Sequence, residues 1–163
     1  YSSCMEKSIS VEVNGIRLED ETDNPIILLL DPISNRVLPL WIGTIEAVAI
    51  AYAQEGVVPP RPQTHDLLVN IIESLNASIS EVCIVDLQNK TYFAEIRIIT
   101  IDGEISLSAR PSDAIALALR TNSKITVNTS LFFDNSIELF IENKEEIKEF
   151  QAFIENITPD DFL

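Results

Sequence analysis

A single α+β domain is the fold this sequence predicts: a mixed, largely antiparallel sheet, helices packed mainly on one face, and an acidic helical extension at the C-terminus. Three observations carry the prediction. The β-rich runs are joined by hairpin-length turns, Gln88-Asn89-Lys90 and Asp102-Gly103, which argues against a regularly alternating parallel fold. Helical patterns are confined to residues 44–55, 65–75, 111–121 and 142–156. The chain has 163 residues, 46% of them hydrophobic and 23% charged. That length fits one domain, able to bury roughly two-thirds of its unfolded surface.

The elements follow in order. Ser8-Ile9-Ser10-Val11-Glu12-Val13 alternates with period two and continues past Asn14-Gly15 into Ile16 and Leu18 as one strand. Glu19-Asp20-Glu21-Thr22-Asp23-Asn24 is a charged turn without the glycine and spacing of a calcium loop, so it reads as a solvated turn. Residues 26–30 are apolar on both faces, hence a central strand. Asp31-Pro32-Ile33-Ser34-Asn35 turns the chain into a third strand over 36–42, where Trp41 reads as a core residue. Residues 44–55 form a helix whose alanines allow close approach to a sheet, and Gly56 stops it.

Pro59-Pro60-Arg61-Pro62 is a stiff loop, since each proline fixes its own φ and extends the residue before it. Thr64 then caps a helix with His65 and Asp66 in its first turn and Leu68, Ile71, Ile72 and Leu75 on its inner face. Strands over 79–87 and 92–101 form a hairpin, followed by a strand over 104–109. A helix begins with Pro111 in the first helical position. A short strand over 125–127 precedes Leu131-Phe132-Phe133, an apolar anchor. Residues 142–156 read as an acidic amphipathic helix, and Thr158-Pro159-Asp160-Asp161 as the start of another. Glu46-Ala47-Val48-Ala49-Ile50-Ala51 also echoes Asp113-Ala114-Ile115-Ala116-Leu117-Ala118 in pattern.

Composition narrows the function classes. No apolar run approaches the roughly 20 residues of a membrane helix. No signal-peptide pattern precedes Ile9, and Met5 reads as a start, so the cytoplasm is the expected compartment. Cys4, Cys83 and one histidine make no zinc-ligand pattern. The net charge is −15, and residues 134–163 hold nine acids against two lysines, so excess acid concentrates at the C-terminal end. Such a balance counts against a nucleic-acid partner held by phosphate contacts. Sheet edges and the apolar Leu131-Phe132-Phe133 and Phe140 groups point to a homodimer.

Two helix starts gather the residues suited to chemistry. His65 is the one side chain whose ordinary pKa lies near neutrality; it either locks the proline loop or serves as a base or metal ligand. Arg61 and Arg110 carry planar forks suited to phosphate, and are equally suited to internal pairs with Asp66, Asp113 or Glu46. Glu46, Asp66 and Asp113 each lie in a helix's first turn, where a carboxylate complements the dipole. If they converge they form a site for Mg or Mn, the divalent ions that phosphodiester hydrolysis usually needs.

Taken as a set, Leu38-Pro39-Leu40-Trp41-Ile42-Gly43 with Glu46-Ala47, Pro60-Arg61-Pro62 with Thr64-His65-Asp66-Leu67, Lys90-Thr91-Tyr92-Phe93-Ala94 and Ala109-Arg110-Pro111-Ser112-Asp113-Ala114-Ile115 resemble the bifunctional nuclease domain family. The resemblance spans residues 9–133. It implies a compact α+β domain over 5–133, with 134–163 as an extension packed on it, and a nuclease cleaving DNA and RNA. At the matched positions, residue chemistry suggests His65, Asp66, Glu46 and Asp113 as catalytic residues and Arg61 and Arg110 as phosphate ligands. Asp66, Asp113 and Glu46 are the metal-ligand set to look for. A rival reading is a non-catalytic binding or regulatory module whose Arg/Asp motifs only fasten loops.

Overall fold

A computed structural model describes residues 7–139. The segment over 142–156, the start at Thr158, Phe140 and Cys4 lie outside the described residues.

Two three-stranded meanders meet at a seam to form one sheet. The first consists of β1 (Ser8–Leu18), β2 (Pro25–Asp31) and β3 (Arg36–Trp41). The second consists of β4 (Ser78–Gln88), β5 (Thr91–Thr100) and β6 (Gly103–Ala109). Between them lies β7 (Lys124–Asn128), antiparallel to β1 and parallel to β4, with Val127 beside both Ile9 and Ile84. With the short β8 (Ile137–Glu138) the order is β6-β5-β4-β7-β1-β2-β3-β8, and β4–β7 is the parallel pair. Local chemistry sets the turns. Asn89 and Lys90 both take positive φ (51° and 65°), as a two-residue hairpin loop demands. Gly15, at φ 91°, lies where the β1–β2 register shifts between Val13 and Ile16, so β1 runs on through an irregularity as its alternation predicts.

Each meander ends in an alanine-rich helix: α1 (Thr44–Glu55) follows β3 and α3 (Pro111–Thr121) follows β6. The echo in the sequence therefore falls at equivalent points of the two halves. The small side chains serve a purpose other than the one expected. α1 packs chiefly on α3, and α3 is the central helix, touching α1, α2 (Thr64–Ser74), β4, β5 and β7. Ala114, Ile115, Ala116, Leu117 and Ala118 of α3 are all buried, together with Ala47, Ile50 and Ala51 of α1. They join Ile27, Leu29, Leu38, Leu40, Val82 and Ile84 from the sheet in one core cluster.

Four expectations need correction. Thr64 is the first helical residue of α2; the cap is Gln63, in a reciprocal box with Asp66. α2 rests mainly on α3, so Val69 is its buried residue, while Leu68, Ile71 and Leu75 stay substantially exposed. Trp41 is 58% exposed, because Leu38 and Leu40 take the core-facing positions of β3 and Trp41 alternates to the other side. Phe132, within α4 (Thr129–Asn135), is fully buried, so the Leu131-Phe132-Phe133 group is internal anchorage more than surface. No helix of the described residues is long and apolar enough to cross a membrane.

Candidate active site

Three helix starts carry an acid at the same position, the third helical residue: Glu46 in α1, Asp66 in α2 and Asp113 in α3. There each complements the helix dipole. The packing of α3 against α1 and α2 decides what else each one does.

Glu46 and Asp113 converge on one guanidinium. Arg110, the N-cap residue of α3, donates from Nε to Asp113 Oδ2 (2.8 Å) and from Nη2 to Asp113 Oδ1 (3.1 Å), a bidentate pair. Its Nη1 donates to Glu46 Oε1 at 3.0 Å. His65 completes the group from α2: its Nε2 lies 2.9 Å from Asp113 Oδ1, and its side chain is 13% exposed. Arg110 itself is 63% exposed. Of its five N–H donors, these bonds use one on each nitrogen and leave one on each terminal nitrogen. Among the described residues His65 Nδ1 makes no hydrogen bond. If Asp113 accepts from Nε2–H, the neutral ring keeps its lone pair on Nδ1.

Asp66 faces elsewhere. It accepts from the Gln63 N–H (2.9 Å) and from Arg120 Nε (2.7 Å), so it caps α2 and ties that helix to the end of α3. Arg61 also stands apart: its side chain is exposed, makes no ion pair among the described residues, and does not line the cleft described below. Of the three residues around the proline loop, His65 joins Asp113, Asp66 joins Arg120, and Arg61 joins neither. A divalent ion shared by Glu46, Asp66 and Asp113 does not fit this arrangement. Both oxygens of Asp113 are taken by Arg110 and His65, and both of Asp66 by Arg120 and Gln63. Among the described residues no group of three or more His, Cys, Asp or Glu side chains forms a metal-holding set.

Burial alone would raise the pKa of Asp113, but hydrogen bonds from Arg110 and His65 outweigh it and hold the carboxyl below its ordinary 3.8. Asp66 behaves alike: burial opposes, and the bonds from Arg120 and the Gln63 N–H win. A carboxyl whose folded pKa is depressed contributes stability above its unfolded pKa and loses it as pH falls through the folded value. Urea midpoints measured at about pH 5 and about pH 3 should therefore fall more for the wild-type chain than for Asp66→Asn, which lacks one of these groups. An equal fall would show that Asp66 is not held in this way.

The group lies in the wall of a cleft of about 970 Å³. Its other walls are mainly apolar: Ile45, Val48 and Tyr52 of α1, Leu68 and Ile72 of α2, and Ile96, Ile98 and Leu107 on the sheet. Among the exposed apolar residues of α2, Leu68 thus lines the cleft beside Ile72, whereas Ile71 and Leu75 do not. Sequence reasoning missed that cleft, and also Arg120, whose signal was only a basic residue in the last turn of α3.

Gly43 is the N-cap of α1, with an ordinary φ of −76°. A Cβ there would overlap Glu46 Oε2, the movable end of a flexible side chain. Gly43→Ala is expected to cost about 1 kcal/mol of capping and to push Glu46 away from Arg110. A double-mutant cycle reads this: Glu46→Gln should cost nothing further in the Gly43→Ala background, and an unchanged cost would place the two residues apart.

Comparison with known proteins adds to this geometry. The family model described as Bifunctional nuclease domain matches residues 27–139. An uncharacterized protein of Mycobacterium tuberculosis is 41% identical over 161 residues, covering 93% of this chain and 96% of its own. Bifunctional nuclease 1 of Oryza sativa subsp. indica is 25% identical over 128 residues, 76% of this chain and 39% of the plant protein. Bifunctional nuclease 2 of Arabidopsis thaliana is 23% identical over 122 residues, 73% of this chain and 37% of its own.

Proposed function

Because the chain belongs to the bifunctional nuclease domain family, we propose that it hydrolyses phosphodiester bonds of DNA and RNA at the His65–Asp113–Arg110 cluster. The observation that supports this most is the 2.9 Å contact between His65 Nε2 and Asp113 Oδ1 in the wall of an open cleft. Asp113 fixes the ring's orientation and tautomer, and Nδ1 takes a proton from an attacking water. The imidazolium so formed is stabilised by Asp113 and returns the proton to the leaving oxygen. Arg110 offers its two remaining N–H groups to the phosphate oxygens, where charge grows as the P–O bond breaks. Glu46 positions Arg110.

Purified full-length protein incubated with end-labelled single-stranded RNA and DNA tests this reading. Cleavage that persists in EDTA is the expected result. Cleavage that disappears in EDTA and returns with Mg or Mn would favour a metal bound by carboxylates released from their arginines. No cleavage under any of these conditions would overturn the reading.

A second reading is supported by charge. Arg110 faces two carboxylates, and the chain carries −15, a poor setting for a polyanion. A non-catalytic binding or regulatory module would use the same contacts only to hold the starts of α1, α2 and α3 together. Under that reading His65→Ala lowers folding stability while cleavage per folded molecule stays unchanged.

A further inference from the structure

We propose that β6 is a dimerisation edge: two copies of this chain pair their β6 strands antiparallel about a two-fold axis at Ser106, joining two sheets into one and extending the floor of each cleft. The two ends of the sheet differ. At one end β8 is two residues long. At the other β6 is seven residues long and none of its residues is buried. Its pairing with β5 runs from Ala94↔Ala109 to Thr100↔Gly103 without a bulge, and it contains no proline and no lysine. Among the described residues no strand pairs with its outer edge, and a long, regular edge strand is a template for another strand.

Pairing over the full strand fixes the register. With Ser106 on the axis, Ile105 lies opposite the partner's Leu107, and Glu104 opposite the partner's Ser108. The apolar residues thus meet on one face, the face of Ile96 and Ile98, which are opposite Leu107 and Ile105 within the subunit. Ile105 and Leu107 are 47% and 48% exposed in the single chain. On the other face the strand's one charge, Glu104, is held by Arg97 (3.1 Å) and does not meet its own copy. Self-repulsion at −15 is therefore not concentrated at this contact, and much of the acid lies in residues 134–163. Leu107 lines the cleft, so the partner's Ile105 beside it continues the apolar floor. The inference does not depend on the chemistry at His65.

Light scattering of the full chain should give about twice 18.2 kDa at micromolar concentration. Ile105→Lys should give the single-chain mass with its circular dichroism unchanged. In a Cys4→Ser background, Ser106→Cys should form a disulfide-linked dimer on mild oxidation, because residues directly opposite in an antiparallel pair lie about 4.5–5.5 Å apart at Cα. Glu104→Cys should not, since its copy lies roughly 14 Å away along the strand. A single-chain mass at all concentrations up to about 100 μM overturns the proposal. So does a dimer that survives Ile105→Lys while Ser106→Cys stays unlinked.

Discussion

Asp113→Asn is expected to lower cleavage by roughly 10²–10⁴-fold, the range over which a positioned proton-transfer group acts. The substitution keeps the size of the side chain and removes its charge. Asp113 is the member of the cluster that touches both others: His65 at 2.9 Å, and Arg110 through two bonds. An amide oxygen still accepts one hydrogen bond, but the amide nitrogen faces a donor on Arg110 or His65 and frees one of them. The ring then loses its fixed tautomer, and the guanidinium loses the bidentate hold that aims it. Glu46→Gln should cost much less, because Glu46 makes one bond to Arg110 and none to His65. Initial cleavage rates with saturating single-stranded substrate, divided by the folded fraction from circular dichroism, measure both. Equal losses for the two variants would assign no special place to Asp113.

The second large effect is on folding. Phe132→Ala is expected to destabilise the domain by about 3–5 kcal/mol, the usual cost of removing a buried aromatic ring. Phe132 is fully buried on the short α4, whose contacts are with β7 and β4 on either side of the parallel seam. Its ring also meets Phe133 edge-on at 5.3 Å. A domain of this size has a total stability of roughly 5–15 kcal/mol, so the variant should unfold at much lower urea concentration. Phe133→Ala, at a 43% exposed position, should cost far less. A Phe132→Ala midpoint close to that of the wild type would mean that α4 does not anchor the seam.

Much of this fold was legible because its signals are local. The hairpin at Asn89-Lys90, Pro111 at the start of α3 and Gly56 after α1 each set a boundary through backbone constraint alone. What local patterns do not carry is which partner a face meets. The apolar stripe of α2 reads as core facing, yet Leu68 and Ile72 line a cleft, because α3 already occupies the sheet beneath. The alanines of α1 read as contact with a sheet, yet they admit another helix. Trp41 reads as core by type, and only strand alternation beside Leu40 turns it outward.

The site was half legible for the same reason. Glu46, Asp66 and Asp113 were visible as first-turn acids, and Arg110 and His65 as neighbours of helix starts. Their grouping depends on how three helices cross. Arg120 decides it by drawing Asp66 away from the others, and lies 54 residues from it in sequence. Arg61 was singled out for its planar fork near a helix start, yet it does not join His65. Pro62, the capping Gln63 and the first helical residue, Thr64, were enough to separate them.

Hydrolysis by the His65–Asp113 pair makes the cleavage rate per folded molecule of His65→Ala the decisive measurement. A loss of roughly 100-fold or more against wild type is expected, on both RNA and DNA, with the folded fraction matched by circular dichroism. A His65→Ala rate per folded molecule equal to that of the wild type would contradict it.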